Sequence, residues 1–329
     1  MRLSRFEYLE PKNIKEARSV LSEKGKEAML IAGGTDILVK MKQRVVAPRY
    51  LVNLKRIDRM RGIEFDERKG LTIGALATLE EVEESSSVKE RFPALCQAAG
   101  RVAAPQLRNT GTLVGNVCID SMCWYYNQSR QWRKARPPCF KAGGDRCYVA
   151  KGGKECVALF QADTPPALIA LGAKVNVVGP DKERLVDIED IYSQKGQKAN
   201  TLGPDEFISE LQIPTHPGNS GGGYLKESTR GAIDFPVVGV ACQLSREDGK
   251  CKDVRIALTA VASGPVRARE AEEVLKGKTI TDDLIGKAAE AAQGSIRPMP
   301  HMGVSVWYKR RLIKVMVQRW IKHVWDQVK

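Results

Sequence analysis

The sequence predicts an α+β protein in two domains, a larger one followed by a smaller one. Three observations carry this. Short apolar strands alternate with amphipathic helices through the first half, a Pro/Gly-rich stretch at 214–223 interrupts the chain, and a hairpin followed by helices fills the remainder. With 329 residues, 43% hydrophobic and 28% charged, the chain can bury a large core, and the boundary is placed to give domains 1–216 and 217–329.

Residues 13–24 have helical spacing, with Ala17, Val20 and Leu21 on one face, and 28–31 form a short strand entering a glycine turn. Residues 51–52 and 71–73 read as further strands, while 79–84 and 93–102 read as helices after polar starts. From about 118 to 160 the rhythm stops: Trp, Tyr, Arg, Gly and Cys mix without a period, which marks an insertion. The pattern resumes at 167–170 and in the alternating strand 174–178. The stretch 214–223 is the linker candidate. Beyond it, 237–244 and 254–261 are apolar strands joined by Arg246-Glu247-Asp248-Gly249, a hairpin signature. Two helices follow. The last, from about Ser305, aligns Leu312, Ile313, Met316, Val317, Trp320, Ile321, Val324 and Val328 in one stripe. It is expected to pack on its own domain, the alternative being a membrane-surface helix.

The formal charge of +14 is unevenly spread, with eight Lys/Arg against two acids in 121–160 and seven against one in 309–329. Such patches suit an acidic partner, a membrane surface or nucleic acid, or are simply a solvated face. No stretch approaches the roughly 18 apolar residues of a membrane span. Met1-Arg2-Leu3-Ser4-Arg5 lacks an apolar signal core, so a cytoplasmic location and reduced thiols are expected.

Of eight cysteines, Cys96, Cys118, Cys242 and Cys251 sit in apolar or strand-like contexts and read as buried thiols. Cys123, Cys139, Cys147 and Cys156 fall within 34 residues as C-x15-C-x7-C-x8-C. Structural zinc sites generally include a short Cys-x2–4-Cys knuckle, because one tight turn then presents two thiolates to a tetrahedral ion. None occurs here. Long spacings suit a loop around a larger object, and four thiolates are the usual complement of an iron–sulfur cluster; zinc and purely structural thiols are the alternatives. Trp124, Tyr125, Tyr126, Trp132, Phe140 and Tyr148 are placed to exclude water from such a cluster, and Arg130, Arg133 and Arg146 to offset its charge.

Ala32-Gly33-Gly34-Thr35-Asp36 follows a strand, so its amides could converge on an anion such as a pyrophosphate. It is neither GxGxxG nor a Walker loop, and alone it could equally be a turn. Thr110-Gly111-Thr112-Leu113-Val114-Gly115-Asn116 offers the same mix of glycines, hydroxyls and an amide. His216, His301 and His323 are isolated and read as structural or surface residues, and no acid–base set for substrate chemistry stands out.

Taken in order, these pieces resemble the FAD-binding subunits of the xanthine dehydrogenase and carbon-monoxide dehydrogenase family of molybdenum hydroxylases. The resemblance runs through 32–38, Leu71-Thr72-Ile73-Gly74-Ala75, Arg108-Asn109, 112–116, Asp163 with Pro166 and 168–172, Tyr224-Leu225-Lys226, and Tyr308-Lys309-Arg310-Arg311. One departure is Val114 before Gly115, where many relatives have a second glycine. The resemblance implies a two-part FAD-binding domain of the vanillyl-alcohol-oxidase (PCMH) type and a smaller α+β domain of the CO-dehydrogenase-flavoprotein type. FAD would contact Ala32, Gly33, Gly34, Thr35, Asp36, Ile37, Leu38, Val102, Thr112, Gly115 and Asn116. Asp163 would hydrogen-bond a hydroxyl of the flavin's sugar-alcohol chain or ribose, and Lys226 would approach the isoalloxazine.

Within the family, the insertion resembles that of 4-hydroxybenzoyl-CoA reductase β subunits, which bind a [4Fe–4S] cluster there. The match lies in Cys123, Tyr125-Tyr126-Asn127-Gln128-Ser129, Cys139, Gly144-Asp145-Arg146-Cys147 and Cys156, and implies that the four cysteines ligate one [4Fe–4S] cluster. It also implies a large molybdopterin-binding subunit, a small subunit with two [2Fe–2S] clusters, and ferredoxin or a similar acidic electron carrier. Electrons would pass from the carrier through the cluster and FAD to molybdenum, where the phenolic hydroxyl of 4-hydroxybenzoyl-CoA leaves as water. Substrate chemistry would then sit on another chain, and no catalytic residue is assigned to this one. The alternatives are the flavin subunit of an aldehyde- or purine-oxidising complex and a basic iron–sulfur protein that binds nucleic acid. The two glycine loops argue against the latter.

Overall fold

Asn13 starts the first helix, Ile14–Lys24, by accepting a hydrogen bond from the Glu16 amide, and Ala17 and Leu21 bury its apolar face. In this computed structural model, which describes residues 3–300 and 303–328, that helix belongs to a small α/β layer. Its sheet is parallel, with Tyr50–Asn53 between Glu7–Leu9 and Ala28–Ile31. Ala28–Ile31 leads into the loop 32–36, and the helix Ile37–Lys42 follows.

A second, antiparallel sheet runs Ile63–Asp66, Gly70–Gly74, Phe207–Ile213, Lys174–Val178, Glu183–Asp187. Its central strand, Phe207–Ile213, joins strands from either side of the cysteine insertion. Thr78 and Glu81 form a reciprocal capping box that starts Leu79–Glu84. Pro93–Gly100 and Thr164–Ala170 complete the helical cover, and both sheets share one apolar core that runs from Ala17 to Ile213 and continues into Tyr224, Ala241 and Ala257. The helix expected over 93–102 ends at Gly100, with Arg101 as its cap.

The remainder is a four-stranded antiparallel sheet, Ser220–Glu227, Val238–Glu247, Lys250–Thr259 and Val266–Arg267, with a second core. Asp248 (φ 50°) and Gly249 (φ 74°) close its hairpin as a two-residue turn with both residues left-handed. Three helices cover the sheet where two were expected. The extra one, Arg269–Leu275, hides its period because Glu272 occupies a buried position, accepting from the Ile256 amide and pairing with Arg267. Ser305 caps Val306–Gln327, which buries Ile313, Met316, Val317, Ile321 and Val324 in its own domain. That spends the apolar stripe, so the membrane-surface alternative is set aside. Among the described residues no helix is long and apolar enough to cross a membrane.

The stretch 214–223 is only partly a connector, because Gly221, Gly222 and Gly223 belong to the strand Ser220–Glu227. A Cβ on Gly221 would lie 2.7 Å from Val328 Cγ2, and one on Gly223 2.7 Å from Trp320 Cζ2 and 3.0 Å from Gln97 Oε1. These glycines admit helices packed against the strand, a purpose that looks the same in sequence as flexibility. His216 stands edge-on to Phe92 at 6.1 Å with its pKa lowered chiefly by burial, and His323 stacks on Trp320 at 4.6 Å; His301 lies outside the described residues.

Candidate functional site

The two glycine loops meet backbone to backbone. A Cβ on Gly33 would fall onto the Thr110 carbonyl oxygen and lie 2.8 Å from Gly111 Cα, so only glycine permits this contact. Gly34 has φ +76°, a conformation that L side chains rarely adopt. The second loop is held by Leu79 N donating to Gly111 O (2.9 Å) and Leu113 N to Ala77 O (2.9 Å). Thr112 caps the turn that follows by accepting from Gly115 N at 3.0 Å. Val114 is buried, so the departure from a double glycine is absorbed by the core. The backbone N–H groups of Gly33, Gly34 and Thr35 have no hydrogen-bond partner among the described residues, which leaves a short run of donors open to an anion. Asp36 is offset by Lys40 at 2.6 Å, Ile37 and Leu38 begin the next helix from half-buried positions, as Ala32 ends the approach, and Leu38 packs over Gly34.

The second loop continues into a buried polar network. Asn116 Oδ1 accepts from Thr164 N (3.2 Å) and Thr164 Oγ1 (2.7 Å). Next to it, Asp163 accepts from the Tyr224 hydroxyl (2.7 Å) and from Lys226 Nζ (3.0 Å). Lys226 also donates to the carbonyls of Arg101 (2.9 Å) and Asp234 (2.8 Å), which engages all three of its N–H bonds. Val102 is half-buried, and its carbonyl accepts from Arg108 Nη1 at 3.2 Å. Burial pushes the Asp163 carboxyl up to about 6 against the opposing pull of Lys226 and Tyr224, and the Tyr224 phenol is raised well above its ordinary range. Tyr224 and Lys226 reach this floor from the C-terminal sheet, so it needs residues from both halves of the chain. Tyr224, Thr164, Gln97 (accepting from Tyr224 N at 2.7 Å) and the Arg101 carbonyl were not assigned roles from sequence; buried partners leave no local pattern.

All eight cysteines are free. Cys123, Cys139, Cys147 and Cys156 line one cavity together with Tyr125, Phe140, Lys141, Arg146 and Tyr148. Its centre holds about 10 Å³, room for one water. Tyr125 stacks on Tyr148 at 5.3 Å and leans on Trp132 at 6.1 Å, whereas Trp124, 57% exposed, does not line the cavity. Burial raises the thiol pKa of Cys123 and of Cys156. Among the described residues no group of three or more His, Cys, Asp and Glu side chains stands close enough to hold a metal ion as it is.

The insertion is fastened at three places. Met122 and Leu159 exchange backbone hydrogen bonds at its base (2.7 and 2.9 Å). Lys141, its side chain 2% exposed, pairs with Asp120 Oδ2 (2.9 Å) and donates to Ser121 Oγ (2.9 Å), Gly196 O (2.8 Å) and Gln197 O (3.1 Å). Arg133 donates to the carbonyls of Gln43 (3.3 Å) and Arg44 (2.7 Å) just past the C-terminal end of Ile37–Lys42. The insertion therefore grips one end of a helix whose other end follows the first glycine loop, a span of about 9 Å at 1.5 Å per residue.

Residues 4–216 match the family described as "FAD binding domain in molybdopterin dehydrogenase", and 223–324 match "CO dehydrogenase flavoprotein C-terminal domain". This chain is a FAD-binding subunit of the molybdenum hydroxylase family. Such subunits are parts of oxidoreductases, and so is this one. It is 29% identical to the carbon monoxide dehydrogenase medium chain of Hydrogenophaga pseudoflava over 321 residues, covering 98% of this chain and 97% of that one. It is 24% identical to the xanthine dehydrogenase FAD-binding subunit of Escherichia coli O157:H7, covering 89% and 87% respectively. A solved structure of the Hydrogenophaga pseudoflava carbon monoxide dehydrogenase, in a form that lacks the Mo-pyranopterin moiety of its cofactor, superposes with a TM-score of 0.83 at 28% identity over 100% of both chains. The free amides of the first glycine loop and the glycine-only contact between the loops fit a bound pyrophosphate.

Proposed function

We propose that this flavin subunit carries one [4Fe–4S] cluster beside FAD, held by Cys123, Cys139, Cys147 and Cys156, and that it serves a 4-hydroxybenzoyl-CoA reductase complex. The observation that carries the cluster is the convergence of four knuckle-free thiols on a single cavity within an insertion fastened to the flavin domain. As they stand they suit no single ion, and thiols spread around one cavity are the donor set that a larger, multi-metal group uses. The comparisons speak for flavin; the case for iron rests on these residues.

Bound FAD supplies a carrier that exchanges one or two electrons. The chain's part is to hold it. The Gly33, Gly34 and Thr35 amides bind the pyrophosphate, with Ala32 and Asp36 to Leu38 shaping the loop and Thr112, Gly115 and Asn116 the opposite wall. Asp163 keeps lone pairs that would accept from a flavin hydroxyl beyond its bonds to Tyr224 and Lys226, and Lys226, which ties Asp163 to the carbonyls of Arg101 and Asp234 next to Val102, would hold the side of the site that receives the flavin ring. Substrate turnover is assigned in this reading to a molybdopterin-binding large subunit, linked through a small subunit with two [2Fe–2S] clusters. In this reading the complex is cytoplasmic, works in aromatic degradation and draws electrons from ferredoxin. The acidic carrier docks on exposed bases such as Arg130 and Lys134; Lys141, which would have been grouped with them on charge alone, points inward.

A second reading has a specific observation behind it. The relatives' names are those of dehydrogenases acting on carbon monoxide, xanthine, nicotinate and glyceraldehyde, so electrons would leave through this chain from an aldehyde- or purine-oxidising partner. Assay of the anaerobically purified complex separates the two. Reduced ferredoxin should drive 4-hydroxybenzoyl-CoA to benzoyl-CoA; turnover of an aldehyde or purine with none of the thioester would favour the second.

A further inference from the structure

We propose that Lys141 sets the charge balance of the group held by the four thiolates, as a positioning residue rather than a ligand. The proposal rests on the cluster reading above and adds to it a cation that reading does not use. Lys141 lines the same cavity as the four cysteines, yet its ammonium is withdrawn from solvent and held by four oxygens, those of Asp120, Ser121, Gly196 and Gln197. These contacts offset the desolvation of the ammonium and keep it inside, so this lysine is not available to dock a carrier at the surface. Asp120, which faces it at 2.9 Å, is 35% exposed and is therefore screened by water more than Lys141, whose side chain is 2% exposed.

The same contacts fix geometry. Gly196 and Gln197 lie in the turn between Tyr192–Lys195 and Lys198–Asn200, and a Cβ on Gly196 would fall onto the Cys156 carbonyl, so the turn presses directly on the last cysteine. Lys141, two residues after Cys139, thus ties the second cysteine of the ring to the support of the fourth. Four thiolates around a cluster leave net negative charge, and each added electron increases it. A fixed cation in a site sheltered from water favours the reduced form, and its counter-anion opposes that.

The prediction is a pair of shifts of opposite sign. In the anaerobically purified chain, Lys141→Met should move the midpoint potential of the iron centre, read by spectroscopic redox titration, to lower values, and Asp120→Asn should move it higher. Iron and FAD content should match wild type in Asp120→Asn. If loss of its anchor costs Lys141→Met its iron, Lys141→Arg, which keeps the charge, should retain iron at a potential near wild type. Both substitutions shifting the potential in the same direction, or neither shifting it, would overturn the charge role and show packing alone. Wild-type chain with FAD but no iron would instead overturn the cluster reading itself, and this inference with it.

Discussion

Replacing Lys226 by Met tests the buried network most sharply, because the structure fixes both the size and the pH dependence of the loss. Lys226 and Asp163 have side chains 3% and 4% exposed, and Lys226 also satisfies the carbonyls of Arg101 and Asp234. Losing those two bonds costs about 2 kcal/mol, at about 1 kcal/mol each. The abandoned carboxylate then escapes by taking up a proton. In the native chain its pKa is held at about 6, above the ordinary 3.8. Between those values the folded state binds more protons than the unfolded one, so stability falls as pH rises from about 4 to 6 and then levels. Without Lys226 the folded pKa climbs further, and the fall continues above pH 6. The variant should therefore trail wild type by about 2 kcal/mol at pH 6, about 3 at pH 7 and between 4 and 5 at pH 8, at about 1.4 kcal/mol per pH unit. Urea denaturation of the FAD-free chain at the three pH values measures this. A gap independent of pH, or one below about 1 kcal/mol at pH 8, would refute the coupling.

Cys139→Ser or Cys147→Ser should lose the insertion's iron and keep FAD, because the flavin loops lie outside 118–160; iron and flavin analysis of both variants checks it. Gly33→Ala should abolish FAD binding by driving the two loops apart, whereas Gly34→Ala meets only the side chains of Leu38 and Ile31 and should cost about 1 kcal/mol through its left-handed φ, with weaker FAD retention on dialysis. Lys309 is buried with its ammonium on the Ala260 carbonyl (3.0 Å) and its pKa pushed down to about 8. The folded state binds fewer protons between about 8 and 10.5, so stability should rise with pH across that window, and Lys309→Met should remove the rise and gain about 1–2 kcal/mol at pH 7. A loss at pH 7 would count against it.

Where a feature depends on neighbours in sequence, it was legible. The Asp248-Gly249 turn, the start of the last helix near Ser305 and its apolar stripe follow from local stereochemistry and period. The two glycine loops could be picked out but not joined, because Gly33 and Thr110, which meet in the fold, stand 77 positions apart in sequence. The glycines of 220–223 misled for a related reason: the bulk they make room for, Trp320 and Val328, is a hundred residues away. Lys141 shows the limit for charge. In sequence it is one of eight bases in a basic insertion, and only the fold turns it inward while leaving Arg130 and Lys134 outside.

The central claim is that one chain holds both a flavin and a cluster ringed by Cys123, Cys139, Cys147 and Cys156. Quantifying flavin, iron, acid-labile sulfide and zinc in the anaerobically purified wild-type chain tests it most directly. The account predicts one FAD with four irons and four sulfides per chain, all of the iron lost in the quadruple Cys→Ser variant. Full flavin with zinc in place of iron, or with no metal, would contradict it.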